Sequence, residues 1–120
     1  MKWLTGSPTM KIAIPTKSDK GLEDIVSDVF GRAKTFTILE ICDGSVVNVE
    51  VVDNTAFGYK HGAGPIAVKM LADKNVNAVA ARELGVGAST LLEMNKIEKI
   101  KLKANITLQE VVPNILKELS

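Results

Sequence analysis

The sequence has few of the residues that build metal sites and covalent cross-links. Cysteine and histidine each occur once in 120 residues. A single cysteine, Cys42, cannot form a disulfide within the chain, and we therefore expect a cytoplasmic protein. Because pairs of His and Cys at zinc-finger spacing are also missing, a structural zinc site is disfavoured.

The chain also lacks a dominant charge and a long apolar run. Fifteen Lys and Arg oppose fourteen Asp and Glu, for a net charge of +1. This balance provides no electrostatic attraction to nucleic acid or to an anionic membrane. No apolar stretch is long enough to cross a bilayer, and no convincing signal peptide is present. We expect neither nucleic acid nor a membrane as a partner.

What the sequence does contain is enough apolar material for one compact domain. Hydrophobic residues make up 46% of the chain, which suffices for a core without disulfides or metals. Residues 1–9 are polar and include Gly6, Ser7 and Pro8, whereas Met10 opens directly into an apolar run. We interpret residues 1–9 as a leader or tag-like extension and residues 10–120 as the domain.

The apolar spacing predicts strands and helices in a definite order. Residues 11–15 form a first strand that ends at Pro15. The alternating segments 35–41 and 46–52 form a hairpin around Asp43-Gly44, which is a strong turn signal. Helices follow at 65–74 and 87–94, with short strands at 78–81 and 99–102. Thr107 and Glu110 have the spacing of a capping box for a last helix. The stretch 22–30 fits either a short helix or a packed irregular loop.

This order predicts an α/β sandwich with three layers. An antiparallel meander is followed by right-handed parallel crossovers, which gives a mixed five-stranded sheet of order 3-2-1-4-5 with helices on both faces. Strands one, three and four then run in the same direction, and their carboxyl ends share one edge of the sheet. Ligands of open α/β sheets tend to bind at such an edge. The loops expected there are 16–31, 53–64 and 82–87.

The second of these loops contains the best candidate for a binding site. In His61-Gly62-Ala63-Gly64-Pro65 the imidazole can act as a ligand, and the small residues let backbone amides approach a bound group. Pro65 suggests that a helix begins here, and the positive end of a helix attracts anions. The alternative is a tight loop with a solvated histidine.

The other two loops add candidate residues to the same edge. Gly85 and Gly87 form a second glycine-rich turn that enters a helix. Arg32 could supply a cation from the first loop, or it could be a surface residue paired with Asp28 or Glu83. Two serines, at positions 27 and 89, could donate hydrogen bonds or simply cap local structure.

Several short motifs together resemble the dinitrogenase iron-molybdenum cofactor biosynthesis family, which includes proteins related to nitrogenase accessory factors. The motifs are Met10-Lys11-Ile12-Ala13-Ile14-Pro15, Phe30-Gly31-Arg32-Ala33, Asn54 followed by His61-Gly62-Ala63-Gly64, and Gly85-Val86-Gly87-Ala88. The resemblance covers the chain from Met10 onward. It implies a ribonuclease-H-like fold and, for some members, non-covalent binding of iron-sulfur or molybdenum-sulfur clusters. It does not imply nitrogen fixation.

The resemblance implies a role for each candidate residue. His61 would be the metal ligand, while amides of Gly62, Ala63, Gly64, Gly85 and Gly87 would hydrogen-bond an anionic cluster beside Arg32. Binding would be transient, without catalytic turnover, and a cluster donor or acceptor protein is a possible partner. We expect a monomer or a weak homodimer. Since the chain has one thiol, a permanent cluster held by several cysteines is disfavoured.

A nuclease fits this sequence less well than a cluster carrier does, and a metal-free binding module fits it equally well. A ribonuclease-H-like nuclease needs carboxylates on the strands to hold two metals, and strands 11–15 and 78–81 contain none. A metal-free module for a small anion or a partner would use Arg32, Lys60 and the same amides. Phe57 and Tyr59 could close over either ligand or pack against the sheet edge.

Cys42 is expected to be inert, at the opposite edge from His61.

Overall fold

The computed structural model of the protein describes residues 9–103 and 106–119. Five strands are present in this part of the chain: β1 (Met10–Thr16), β2 (Thr35–Cys42), β3 (Ser45–Asp53), β4 (Ala78–Ala81) and β5 (Glu98–Lys101). They are joined by α1 (Ala63–Asp73), α2 (Val86–Met94), α3 (Leu108–Leu119) and a 3₁₀ turn at Gly21–Glu23. Residues 1–8 of the expected leader lie outside the described residues.

The sheet has the predicted order, β3-β2-β1-β4-β5. β1 pairs antiparallel with β2 and parallel with β4, while β2 and β3 form the antiparallel hairpin and β5 runs parallel to β4. The carboxyl ends of β1, β3 and β4 therefore open at the same edge. The prediction of one edge shared by three loops is confirmed.

Two apolar cores lie on opposite faces of the sheet and make the three layers. Alternation along β1 sends Ile12 and Ile14 to one face and Ala13 to the other. α3 covers the first face with buried Leu108 and Ile115. α1 and α2 cover the second face with small and medium side chains, among them Ala67, Val68, Leu71, Ala88 and Leu92.

The predicted capping box begins α3. The Glu110 amide donates to Thr107 Oγ1 over 3.3 Å, and the Thr107 amide donates to Glu110 Oε1 over 3.1 Å. The Thr107 hydroxyl also donates to Oε1 over 3.0 Å. These hydrogen bonds from the Thr107 backbone and side chain lower the pKa of the Glu110 carboxyl. The helix start is thus stabilised most when Glu110 is ionised.

The stretch that fitted two interpretations is an irregular loop with one 3₁₀ turn. Asp24 holds this loop together through hydrogen bonds. It is 2% exposed, and its structural role was not predicted from the sequence. The Asp24 carboxylate accepts hydrogen bonds from the amides of Ser18 at 3.0 Å, Lys20 at 3.2 Å and Ile25 at 2.7 Å. A buried carboxylate is tolerated because these donors replace its water.

Within the described ranges, no helix is long and apolar enough to cross a membrane.

Candidate functional site

A cleft of about 520 Å³ opens where the three loops meet at the carboxyl edge of the sheet. This size falls within the ~300–1,000 Å³ typical of small-ligand pockets. All seven site residues expected from the sequence line it, and the structure thus brings them together: Arg32, His61, Gly62, Ala63, Gly64, Gly85 and Gly87. Further lining residues that the sequence analysis did not propose for the site include Val29, Phe30 and Gly31.

Two helices begin at this cleft. Gly62 precedes α1 with a left-handed φ of 74°, and Gly85 precedes α2 in an extended conformation. Neither helix start is capped by a side chain. The first amides of a helix have no partner within the helix, and they carry its positive partial charge. The cleft therefore receives the positive ends of two helices.

Close glycine contacts bring the helix starts together. A Cβ atom on Gly64 would lie 3.3 Å from the Ala88 Cβ, so α1 and α2 touch at their first turns. A Cβ atom on Gly31 would lie 2.7 Å from the Gly64 nitrogen, which is too close for any real side chain. At Gly85 and Gly87, by contrast, a Cβ would meet nothing within 4 Å. The cleft is therefore open next to the Cα atoms of Gly85 and Gly87.

Asn54 ties two of the loops together, and its role was not foreseen from the sequence. Its side-chain amide donates to the carbonyls of Gly31 at 2.9 Å and Ala33 at 2.8 Å, while its Oδ1 accepts from the Ala56 amide at 2.9 Å. Asn54 is 4% exposed. The loop that leads to His61 is thereby fixed to the loop that bears Arg32. The sequence signals were the position of Asn54 directly after a strand and its place in the motifs of the family resemblance.

Arg32 contacts the loop that carries His61. The Arg32 guanidinium donates a hydrogen bond to the carbonyl of Lys60, the residue before His61. His61 itself is exposed at the end of the loop. Among the described residues, Arg32 forms an ion pair with neither Asp28 nor Glu83, and Asp28 is paired with Arg82 instead.

The two candidate serines do not line the cleft. Ser27 Oγ accepts a hydrogen bond from the Val29 amide at 3.3 Å, which fits the interpretation as local structure. Ser89 Oγ accepts one from Lys99 Nζ on β5 at 2.8 Å and caps no helix start. Phe57 and Tyr59 are 54% and 51% exposed, so neither is packed into the sheet edge.

Cys42 lies far from these residues in the topology. It is half-buried at the hairpin end of β2, and β2 runs opposite to β1, β3 and β4. Its thiol is thus at the edge opposite the cleft. Among the residues that the structure describes, no three His, Cys, Asp or Glu side chains are grouped to hold a metal ion.

The chain and its fold are similar to those of known proteins. A protein of Methanocaldococcus jannaschii is 34% identical over 98 residues, which cover 82% of this chain and 77% of that protein. The apo orange protein of Desulfovibrio gigas superposes with a TM-score of 0.79 at 28% identity, over 93% of this chain and 91% of its own. A NifB-like protein from Thermotoga superposes with a TM-score of 0.70 at 32% identity, over 91% of this chain and 88% of its own.

A family model described as dinitrogenase iron-molybdenum cofactor matches residues 10–118. The match includes every residue that lines the cleft. The chain therefore belongs to the dinitrogenase iron-molybdenum cofactor family.

Proposed function

We propose that this protein binds and carries a preassembled iron-sulfur or iron-molybdenum-sulfur cluster, or a precursor of one, without catalytic turnover. His61 supplies the metal ligand. Amides of Gly62, Ala63, Gly64, Gly85 and Gly87 face the cluster, and Arg32 adds positive charge. The observation that supports this most strongly is the convergence of two uncapped helix starts on the cleft that His61 lines.

The chemistry of these groups suits an anionic cluster. Sulfide-bridged clusters are usually net negative, and their sulfurs accept hydrogen bonds from backbone amides. Two helix N-termini provide such amides together with a favourable partial charge. A neutral imidazole coordinates iron and other transition metals. The open space at Gly85 and Gly87 gives a bulky inorganic group room to approach the backbone.

A carrier also fits the small number of protein ligands. One histidine and a set of amides hold a cluster less firmly than three or four thiolates do. The cluster would therefore arrive already assembled and could be passed on to an acceptor protein. The structure of the similar orange protein is described as that of its apo form.

The experiment is anaerobic incubation of the protein with iron, molybdate and sulfide, followed by gel filtration, visible absorption and metal analysis. The wild type should retain a chromophore, and His61→Ala should lose most of it. Cys42→Ser is the matched control, because its thiol lies at the opposite edge, and it should behave as the wild type. Failure of the wild type to retain metal at any ratio contradicts the proposal.

A metal-free anion site is a second candidate, favoured by the same uncapped helix starts together with Arg32 and Lys60 at the cleft. It makes the opposite prediction for two variants. Binding of inorganic phosphate, followed by calorimetry, would then fall in Arg32→Gln and persist in His61→Ala. A cluster carrier depends on His61 above all.

A further inference from the structure

The edge of the sheet beside the cleft carries a row of lysines. Lys99, Lys101 and Lys103 alternate with Ile100 and Leu102 along β5 and the residues that follow it. The two apolar side chains are buried in the core under α3. Lys99 contacts Ser89 and Glu93 of α2, whereas Lys101 and Lys103 are exposed at the end of β5 and just beyond it.

These lysines border a groove that adjoins the cleft. Two neighbouring hollows of about 420 and 450 Å³ lie between the loop after β4 and the end of β5. We call them together the basic groove. Its charged lining residues are Arg82, Glu83, Lys99, Lys101 and Lys103, and its apolar ones include Leu84, Ile100 and Leu102. Glu83 also lines the cleft. A partner seated in the basic groove would therefore stand next to the cluster site.

Two of the lysines keep their charge available to a partner. Lys99 forms an ion pair with Glu93, and Arg82 forms one with Asp28. In the described ranges, no acidic group lies within ion-pair distance of Lys101 or Lys103. Both side chains are exposed. The positive potential of the basic groove thus comes mainly from these two residues.

An apolar element lies beside the charged one. Leu84 lines the basic groove, and Val86, the first residue of α2, is 86% exposed. Protein interfaces commonly combine an apolar centre with a charged rim that aligns the partner. A solvent-exposed valine at the first turn of a helix adds nothing to the core of this chain.

We propose that the basic groove docks an acidic face of the protein that delivers the cluster to the cleft or removes it. This inference rests on the proposed function for the partner's role, while the recognition itself requires no cluster. The positive charges of Lys101 and Lys103 select an acidic partner. Because Glu83 lines both the basic groove and the cleft, a partner bound in the basic groove lies beside the cleft that His61 lines. A nucleic acid is a poorer occupant, since the whole chain has a net charge of only +1.

The test is a titration of the ¹⁵N-labelled, metal-free protein with a short polyglutamate peptide, followed by amide chemical shifts. We expect the shifts to concentrate at residues 82–86 and 99–103. The double variant Lys101→Glu/Lys103→Glu should weaken binding by about fivefold to tenfold. Lys101→Gln/Lys103→Gln removes the charges without reversing them and should weaken peptide binding less. It keeps the test valid if the first variant does not fold.

The matched control is Lys17→Glu/Lys20→Glu, which changes the net charge equally in a loop packed on the face of the sheet that α3 covers. It should bind the peptide as the wild type does. Equal losses in both double variants, shifts spread over the whole surface, or no localised shift would overturn the proposal. Tighter binding of a thymidine oligonucleotide than of polyglutamate at the same residues would overturn it too.

Failure here is distinguishable from failure of the cluster proposal. The titration contains no metal, so its outcome does not depend on whether the cleft retains a cluster. Conversely, the Lys101→Glu/Lys103→Glu variant should retain as much reconstituted cluster as the wild type. Loss of retention in that variant would contradict the separation of the basic groove from the cluster ligands.

Discussion

Gly31 lies directly against Gly64, so that a Cβ atom on Gly31 would be 2.7 Å from the Gly64 nitrogen and 2.9 Å from its Cα. Both contacts are to backbone, which cannot rotate away as a side chain can. Gly64 in turn touches Ala88 at the start of α2. The two uncapped helix starts and the loop that bears Arg32 are therefore assembled through backbone contacts of glycine.

We predict that Gly31→Ala destabilises the protein and weakens cluster retention. The added methyl group must push the first loop away from α1, at a cost of about 1–3 kcal/mol in the free energy of unfolding. Chemical denaturation measures that cost, and reconstitution measures retention. Gly58→Ala is the control, since a Cβ at Gly58 meets nothing within 4 Å. Equal stability of the two variants would show that the contact is not tight.

Gly87→Ala should make the folded protein more stable and at the same time weaken its retention of the cluster. Gly87 lies in the first turn of α2, and its Cβ would enter open space in the cleft. Replacing a helical glycine by alanine lowers the entropy of the unfolded chain and should raise the free energy of unfolding by up to about 1 kcal/mol. Cluster retention should fall, because the methyl group occupies the approach to the backbone. Unchanged retention would place the cluster elsewhere.

Asn54→Ala should loosen both walls of the cleft. It removes two donors and one acceptor from a buried position and leaves the carbonyls of Gly31 and Ala33 without that partner. We expect a loss of about 2–4 kcal/mol in the free energy of unfolding, measured by urea denaturation. The exposed Asn48→Ala in β3 is the control and should change stability by less than about 0.5 kcal/mol. A small effect at Asn54 would mean that the loops hold together without it.

The capping box of α3 predicts a dependence on pH. Because hydrogen bonds from Thr107 depress the pKa of Glu110 in the folded state, the stabilisation is present above the ordinary carboxyl pKa. It is lost as the pH falls through the depressed value, when the carboxylate takes up a proton. Denaturation between about pH 6 and pH 3 should show a decline that is reduced in Glu110→Gln. Identical pH profiles for the two proteins would contradict this role.

The sequence allowed the architecture to be predicted because its signals were local and consistent. The Asp43-Gly44 turn, the alternation along β2 and β3, and the Thr107 capping box each act within a few residues. Strand direction then placed His61 and Gly85 at one edge without knowledge of any contact. The family resemblance directed attention to the same glycines.

Contacts between distant residues could not be predicted in this way. The amide of Asn54 reaches carbonyls more than twenty positions earlier, and Asp24 becomes a buried hub only once its loop has folded around it. Arg82 rather than Arg32 pairs with Asp28, because the side chain of Arg32 bonds the Lys60 carbonyl. Such choices depend on three-dimensional proximity, which no spacing rule encodes.

The most direct test of the central claim uses the fact that histidine occurs once in the chain. Protein labelled with ¹⁵N only in histidine has a single labelled imidazole, that of His61, and its NMR signals can be followed before and after anaerobic cluster loading. The account predicts that the imidazole signals shift or broaden strongly when the cluster binds. A cluster-loaded protein whose His61 imidazole signals are unchanged would contradict it.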